Sequence, residues 1–232
     1  MESALRTDRP ENLLLIETMG RGADGIRYLD LHLARLKRGA EALGYPFDEA
    51  RVRSALADAT EGHERIRLTL NEAGDAVVET GHLPPNPPQW TVAVHRTRLN
   101  SDDPWLQVKT TNRALYNHAR ADLPSGVDEW LFLNEQGEVC EGTITNIFVV
   151  LEDGRRVTPP LTSGLLPGVL RQSLIQNGWE EQVLTLSDLS KAREIHMGNA
   201  LRGLIRVQLA PFAGHRAVNP VYRRGTPQTQ GT

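Results

Sequence analysis

Lys109 and Glu141 are the residues of this chain whose types and settings could do chemistry. Lys109 closes the run PWLQVK, behind Trp105, Leu106 and Val108, just before Thr111-Asn112, where a helix is expected to begin. No acid lies within five residues of it on either side. An amine desolvated at the buried end of a strand has a depressed pKa and becomes a usable nucleophile or base. Most lysines are solvated surface groups, and that reading stands beside the chemical one. Glu141 follows Cys140 at the end of a two-strand meander and precedes Gly142, with Thr143, Thr145 and Asn146 next. It reads either as a turn acid or as an acid set aside for a partner. The loop Gly164-Leu165-Leu166-Pro167-Gly168-Val169-Leu170 enters a helix, and such a loop can aim free backbone N–H groups and the helix dipole at an anion. It also fits an ordinary Pro-Gly connection.

These residues need elements to carry them. Asn12 to Met19 is an apolar run of strand length, followed by a turn at Gly20 to Gly25 and a short extended piece from Ile26 to Leu29. Asp30 is placed to cap a helix whose Leu33, Leu36, Ala40 and Leu43 recur at intervals of three and four, and Gly44-Tyr45-Pro46 ends it. His32 and Arg35, three apart, share one face of that helix. A second helix fits Phe47 to Ala59, and strands fit Arg65 to Leu70 and Ala76 to Thr80. His82 to Gln89 holds four of the fourteen prolines and cannot be regular structure. Beyond it, strands are expected over Trp90 to His95, Val127 to Leu133, Thr145 to Leu151, Trp179 to Leu184, Glu194 to Gly198 and Leu204 to Leu209. Helices are expected over Asn112 to Ala121 and Gly168 to Asn177. This divides the chain into a small α+β domain over residues 12–81, a Pro-rich linker over 82–89 and a larger domain over 90–215. Loose ends are expected over 1–11 and 216–232.

Composition narrows the function. The 232 residues, 39% of them hydrophobic, suffice for one large or two small folded units. A net charge of -3, with both signs evenly spread, offers no basic face for nucleic acid or anionic membrane, so a small-molecule substrate is expected. The single cysteine, Cys140, cannot form an internal disulfide, no stretch reaches the roughly 18 apolar residues of a membrane helix, and the polar start lacks a signal-peptide core. A cytoplasmic protein is expected. The chain contains no GxGxxG, P-loop, GxSxG, HExxH or paired CxxC, so dinucleotide, nucleotide, serine-hydrolase and zinc chemistry lack their usual carriers, and no metal is expected.

Taken together, HLARL at His32 to Leu36, KTTNR at Lys109 to Arg113, EGTITNIFVV at Glu141 to Val150, TPPLTSGLLPGVLRQSLI at Thr158 to Ile175 and MGNAL at Met197 to Leu201 resemble the class IV aminotransferase family. These are the fold-type IV pyridoxal 5′-phosphate (PLP) enzymes, and the resemblance covers roughly Leu13 to Val207. It implies an α+β, two-domain fold with PLP in the interdomain cleft. Carried over by position, Lys109 resembles the lysine that holds PLP as a Schiff base, and Glu141 the acid that keeps the pyridine nitrogen protonated. Arg35 resembles the arginine that grips the phosphate, with the amides of Val169 and Leu170 and the Asn199 side chain as further donors. Asn146 and Ala200 belong to the same cofactor-binding segments. Arg67 is a candidate clamp for a substrate carboxylate, with a plain surface-strand arginine as the competing reading.

Within the family, Asn112-Arg113 and Asn199-Ala200-Leu201 are more similar to the 4-amino-4-deoxychorismate lyases than to the branched-chain aminotransferases, which carry Gly-Gly-Asn-Tyr and Gly-Thr-Ala patterns there. The resemblance therefore implies release of pyruvate and 4-aminobenzoate for folate synthesis. An amino-acid aminotransferase using the same residues is the alternative, and a non-catalytic PLP- or partner-binding relative the third reading. The chain starts close to Ile16-Glu17-Thr18, whereas the family usually places a strand and a Tyr-Gly loop ahead of that point, lining the substrate side. The family builds its sites near a two-fold interface, so a homodimer is expected.

Overall fold

The structure is a computed structural model that describes residues 2–7, 9–59, 64–211 and 221–222. Helix α1 (Glu2–Thr7) lies where a loose end was expected and packs on α2. Strands β1 (Leu15–Gly22) and β2 (Gly25–Ile26) form a tight hairpin, helices α2 (Leu29–Leu43) and α3 (Glu49–Ala59) follow, and β3 (Arg65–Leu70) and β4 (Ala76–Gly81) complete an antiparallel sheet of order β2-β1-β3-β4. Side chains alternate across it. Leu15 and Met19 of β1 and Ile66, Leu68 and Leu70 of β3 face a core shared with Leu33, Leu36, Ala40 and Leu43 of α2. Burial of each Leu, Ile or Met side chain among these stabilises by roughly 1.5–3 kcal/mol. Ile16, Thr18, Arg65 and Arg67 point the other way, into a cleft.

Asp30 does not cap α2. Tyr28 occupies the cap with a left-handed φ of 58° and makes no side-chain cap hydrogen bond. Asp30 sits within the first turn, where its carboxylate pairs with Arg53 at 2.6 Å and meets the positive end of the helix dipole. Gly44, at φ 73°, ends the helix as its sequence suggests.

Residues 82–89 lead to the second sheet. Its elements are β5 (Trp90–Leu99), a 3-10 turn at Pro104–Gln107, α4 (Ala114–Ala121), β6 (Glu129–Asn134), β7 (Val139–Gly142), β8 (Asn146–Val150), β9 (Arg156–Thr158), α5 (Val169–Gln176), β10 (Glu180–Glu181), α6 (Leu186–Lys191), β11 (Glu194–Asn199), β12 (Gly203–Leu209) and β13 (Val221–Tyr222). The order is β10-β9-β8-β11-β12-β5-β6-β7, with β13 on β5, and β7 pairs back onto β8. Six strands thus close on themselves around Val92, Leu131, Val139, Ile147, Val149, Met197 and Ile205. The pairs β12–β5 and β5–β6 are parallel, so the chain between β5 and β6 must cross over, and that crossover carries Lys109 and α4.

Three local expectations differ from what forms. Trp179 to Leu184 contributes only the two-residue β10, parallel to β9, and Thr185-x-x-Asp188 then builds a capping box that starts α6. Helix α4 starts at Ala114, because Arg113 stands outside helical geometry as its N-cap. Glu141 lies inside β7 rather than after it, and Gly142 ends that strand. The stretch 216–232 lies outside the described residues except for Val221–Tyr222.

Candidate active site

Lys109 is held by backbone pairing rather than by a helix. The Ile16 N–H donates to the Lys109 carbonyl and the Thr111 N–H to the Leu14 carbonyl, both at 2.9 Å, while Thr110 bridges to Leu15. The crossover is thereby stitched onto β1 of the small domain, and the side chain enters the cleft. Part of it faces the open cavity, yet protein encloses the amine enough for burial to dominate: Lys109 is lowered from 10.5 to about 7 by desolvation first, then by the Arg35 and Arg113 guanidiniums, against the opposing pull of Glu17 and Glu141. A substantial share of the amine is therefore neutral near pH 7.

Glu141 is buried. Its Oε1 accepts the Tyr116 hydroxyl at 2.7 Å, and its Oε2 accepts the Leu166 N–H at 3.0 Å and the Asn146 Nδ2 at 3.5 Å. Asn146 Nδ2 also donates to the Leu166 carbonyl at 3.0 Å. A side chain at Gly168 would collide with the Asn146 Oδ1, which explains the glycine at that place in the loop. Beside this acid the turn over residues 143–145 is fastened by Glu129, fully buried, whose carboxylate accepts from the Thr143 N–H at 3.1 Å, the Thr143 hydroxyl at 2.6 Å and the Ile144 N–H at 3.3 Å. Arg113 donates to the Thr143 carbonyl at 2.7 Å and lies over the Tyr116 ring.

At the other end, Arg35 is buried on α2. Its Nε and Nη2 donate to Glu17 at 2.9 and 2.5 Å, and its Nη1 to the Pro167 carbonyl at 3.3 Å. Burial raises the Glu17 carboxyl, but the Arg35 guanidinium and the hydrogen bonds from Arg35 and His32 outweigh it and hold it at about 2. Helix α5 opens just past Pro167, with Gly168 as its N-cap. Asn199 spends its side chain on its own turn: Oδ1 accepts the N–H groups of Leu201 and Arg202 at 3.1 and 2.9 Å, and Nδ2 donates to the Ile144 carbonyl at 3.1 Å.

Arg35, Arg67, Lys109, Glu141, Asn146, Val169, Asn199 and Ala200 line one cavity of about 700 Å³. Leu170 is the exception: it does not line the cavity, and its side chain packs with Phe148 and Trp179. Arg67 reaches the cavity from β3 and pairs with Glu79 at 3.1 Å. Glu17, Tyr116 and Glu129 were not singled out from the sequence. Glu17 had a legible signal, an acid inside an apolar strand followed by His-x-x-Arg on the next helix. Tyr116 is brought in by the crossover and Glu129 by the start of β6, and no local pattern displays either placement.

This fold, with a lysine and a buried acid facing one interdomain cleft, defines a fold-type IV aminotransferase-like enzyme. Residues 14–210 match the amino-transferase class IV family, and the chain belongs to it. Enzymes of this family work with PLP. The chain is 30% identical over 188 residues to a protein of Schizosaccharomyces pombe provisionally named aminodeoxychorismate lyase, covering 75% of this chain and 80% of that one. It is equally, 30%, identical over 196 residues to a protein of Thermotoga maritima provisionally named branched-chain-amino-acid aminotransferase, covering 76% and 70%. A solved structure from Mesorhizobium loti, provisionally named amino-acid aminotransferase, superposes with a TM-score of 0.80 at 40% identity, covering 86% of this chain and all of that one.

Proposed function

We propose that this chain is a PLP-dependent lyase that converts 4-amino-4-deoxychorismate to 4-aminobenzoate and pyruvate, with Lys109 as its catalytic residue. The observation that carries the reading is the Lys109 amine, held at about 7 in a cavity that also contains Glu141. The residues fit the cofactor chemically. Glu141 is a buried carboxylate bound by neutral hydrogen-bond donors, suited to a protonated ring nitrogen. Arg35 and the N-terminus of α5 at Val169 and Leu170 suit a phosphate, with the 199–202 turn shaped by Asn199 beside them. PLP, when bound, supplies an electron sink for a carbon that has lost a proton. Lys109 Nζ accepts the proton from the substrate carbon that bears nitrogen. As an ammonium it then returns that proton to the methylene carbon of the departing enolpyruvyl group, while the C–O bond to that group breaks and the ring becomes aromatic. Tyr116 and Asn146 fix the Glu141 carboxylate, and Glu129 fixes the turn beside it.

Charge favours the lyase over a branched-chain aminotransferase. Arg65, Arg67, Arg113, Arg120 and Arg202 line the cavity along with Arg35, and among the described residues Glu141 is the only acid that lines it. Arg35, Arg67 and Arg120 are partly offset by Glu17 at 2.5 Å, Glu79 at 3.1 Å and Glu129 at 3.7 Å. The remaining positive field suits a substrate with two carboxylates better than an aliphatic side chain. The aminotransferase reading keeps the support of the equally similar Thermotoga relative. A cytoplasmic homodimer belongs to the same proposal. Its test is turnover of 4-amino-4-deoxychorismate by PLP-loaded protein without any 2-oxo acid. Equal release of 4-aminobenzoate and pyruvate supports the lyase; a requirement for 2-oxoglutarate with accumulating glutamate replaces it by the aminotransferase.

A further inference from the structure

Helix α2 brings to the cleft a second side chain that the proposed chemistry leaves unused. His32 stands one turn before Arg35, is 1% exposed and lines the same cavity. Its Nδ1 lies 2.6 Å from the Glu17 Oε2, while its Nε2, on the other side of the ring, is buried without a hydrogen-bond partner among the described residues. A buried polar nitrogen left in this way costs about as much as a lost hydrogen bond, so its retention beside a cavity points to a ligand. Glu17 is ionised, so Nδ1 carries a proton and donates to it, which fixes the ring and its orientation.

The surroundings identify the ligand's chemistry. Arg35 spends three of its five N–H donors on Glu17 and Pro167, so two are not committed to them. Its contact with Pro167 also brings this face of α2 against the segment that opens α5. A guanidinium, a helix N-terminus and an imidazole with one unpartnered nitrogen, carried by residues that line one cavity, suit a tetrahedral oxyanion. We propose that His32 Nε2 binds the phosphate of the cofactor, completing a cradle with Arg35 and the start of α5. A single hydrogen bond joins Nε2 to a phosphate oxygen. Glu17 acts as the positioning residue for both side chains. The inference rests on the proposed PLP site in this cleft.

Two substitutions separate the nitrogens. His32→Asn puts an amide nitrogen where Nδ1 was and removes Nε2; His32→Gln reaches the Nε2 position and gives up the Nδ1 contact. PLP titration and 31P NMR of the bound cofactor read the effect, with pyridoxal as the phosphate-free probe. His32→Asn is expected to weaken PLP roughly tenfold to a hundredfold, as for one hydrogen bond to a charged group. It should also move the phosphorus resonance and leave pyridoxal binding unchanged, and His32→Gln should retain most of the PLP affinity. The inference is overturned if His32→Asn binds PLP like the parent with an unmoved resonance, or weakens PLP and pyridoxal equally. It is equally overturned if only His32→Gln is impaired, since that marks a clamp on Glu17 alone. Failure of the parent protein to bind PLP sinks the proposed function along with it, whereas normal parent binding with an indifferent His32→Asn sinks this inference only.

Discussion

Each wall of the cleft buries a carboxylate, and the two are partnered in opposite ways. Glu17, on the small-domain wall, is wrapped by Arg35 and His32. Glu141, on the large-domain wall, is bound by the Tyr116 hydroxyl, the Leu166 N–H and the Asn146 amide, donors that carry no charge. A carboxylate paired with a guanidinium has spent its charge on holding structure, while hydrogen bonds from neutral dipoles orient a carboxylate without cancelling its charge. Lys109 lies between them and feels both, but burial and two arginines outweigh the two acids and lower its pKa to about 7.

The comparison breaks most sharply at Lys109. Lys109→Met is expected to lower kcat by on the order of 10²–10⁴-fold, the contribution of a positioned acid–base group, in a PLP-loaded turnover assay. The same variant should gain stability without cofactor. The unfolded chain keeps the lysine proton up to about 10.5 and the folded chain only to about 7, so the unfolded state binds more protons between these values and stability rises with pH across that window. Thermal melts of the apo protein should show this slope in the parent, and Lys109→Met should flatten it and raise the Tm at pH 7.

Exchanging each acid for its amide sharpens the contrast. Glu17→Gln leaves the buried Arg35 without its counter-charge and should cost about 3–5 kcal/mol by urea denaturation. Its acid limb should change with it. The folded-state carboxyl is depressed from 4.5 to about 2, so its contribution is whole above pH 4.5 and lost as pH falls toward 2, and Glu17→Gln should remove that loss. Glu141→Gln is expected to change stability by only about 1 kcal/mol, since the amide can still accept the Leu166 N–H and the Tyr116 hydroxyl can turn to accept. Its kcat should nonetheless fall steeply. Equal stability losses for the two variants would erase the distinction drawn between the acids. The smallest effect is expected for Tyr116→Phe, which removes one of the Glu141 donors at a cost of about 1 kcal/mol in denaturation, with a modest fall in kcat.

Much of this was legible before any coordinates. The periods of two and three to four residues placed β1, α2, β3 and β4 closely, because each buries one clean face. Family resemblance drew attention to Lys109, Glu141 and Arg35 together, and the structure sets them around one cavity. What local reading could not supply was pairing across distance. Lys109 ends an extended run, as its apolar neighbours suggest, but the strand it pairs with is supplied by Leu14 and Ile16, nearly a hundred residues earlier, which no local pattern displays. Asp30 had the right type for a cap, but a left-handed Tyr28 holds that position and Arg53 claims the carboxylate. Glu17 was hidden in an apolar run because its partners lie on the following helix, and Arg67 could not be seen to share itself with Glu79 on the next strand.

The most direct test of the central claim is borohydride reduction of PLP-loaded protein followed by peptide mapping. The account predicts a single stable cofactor label on Lys109, prevented when substrate is present at saturation. No label, or a label on another lysine with Lys109 unmodified, would contradict it.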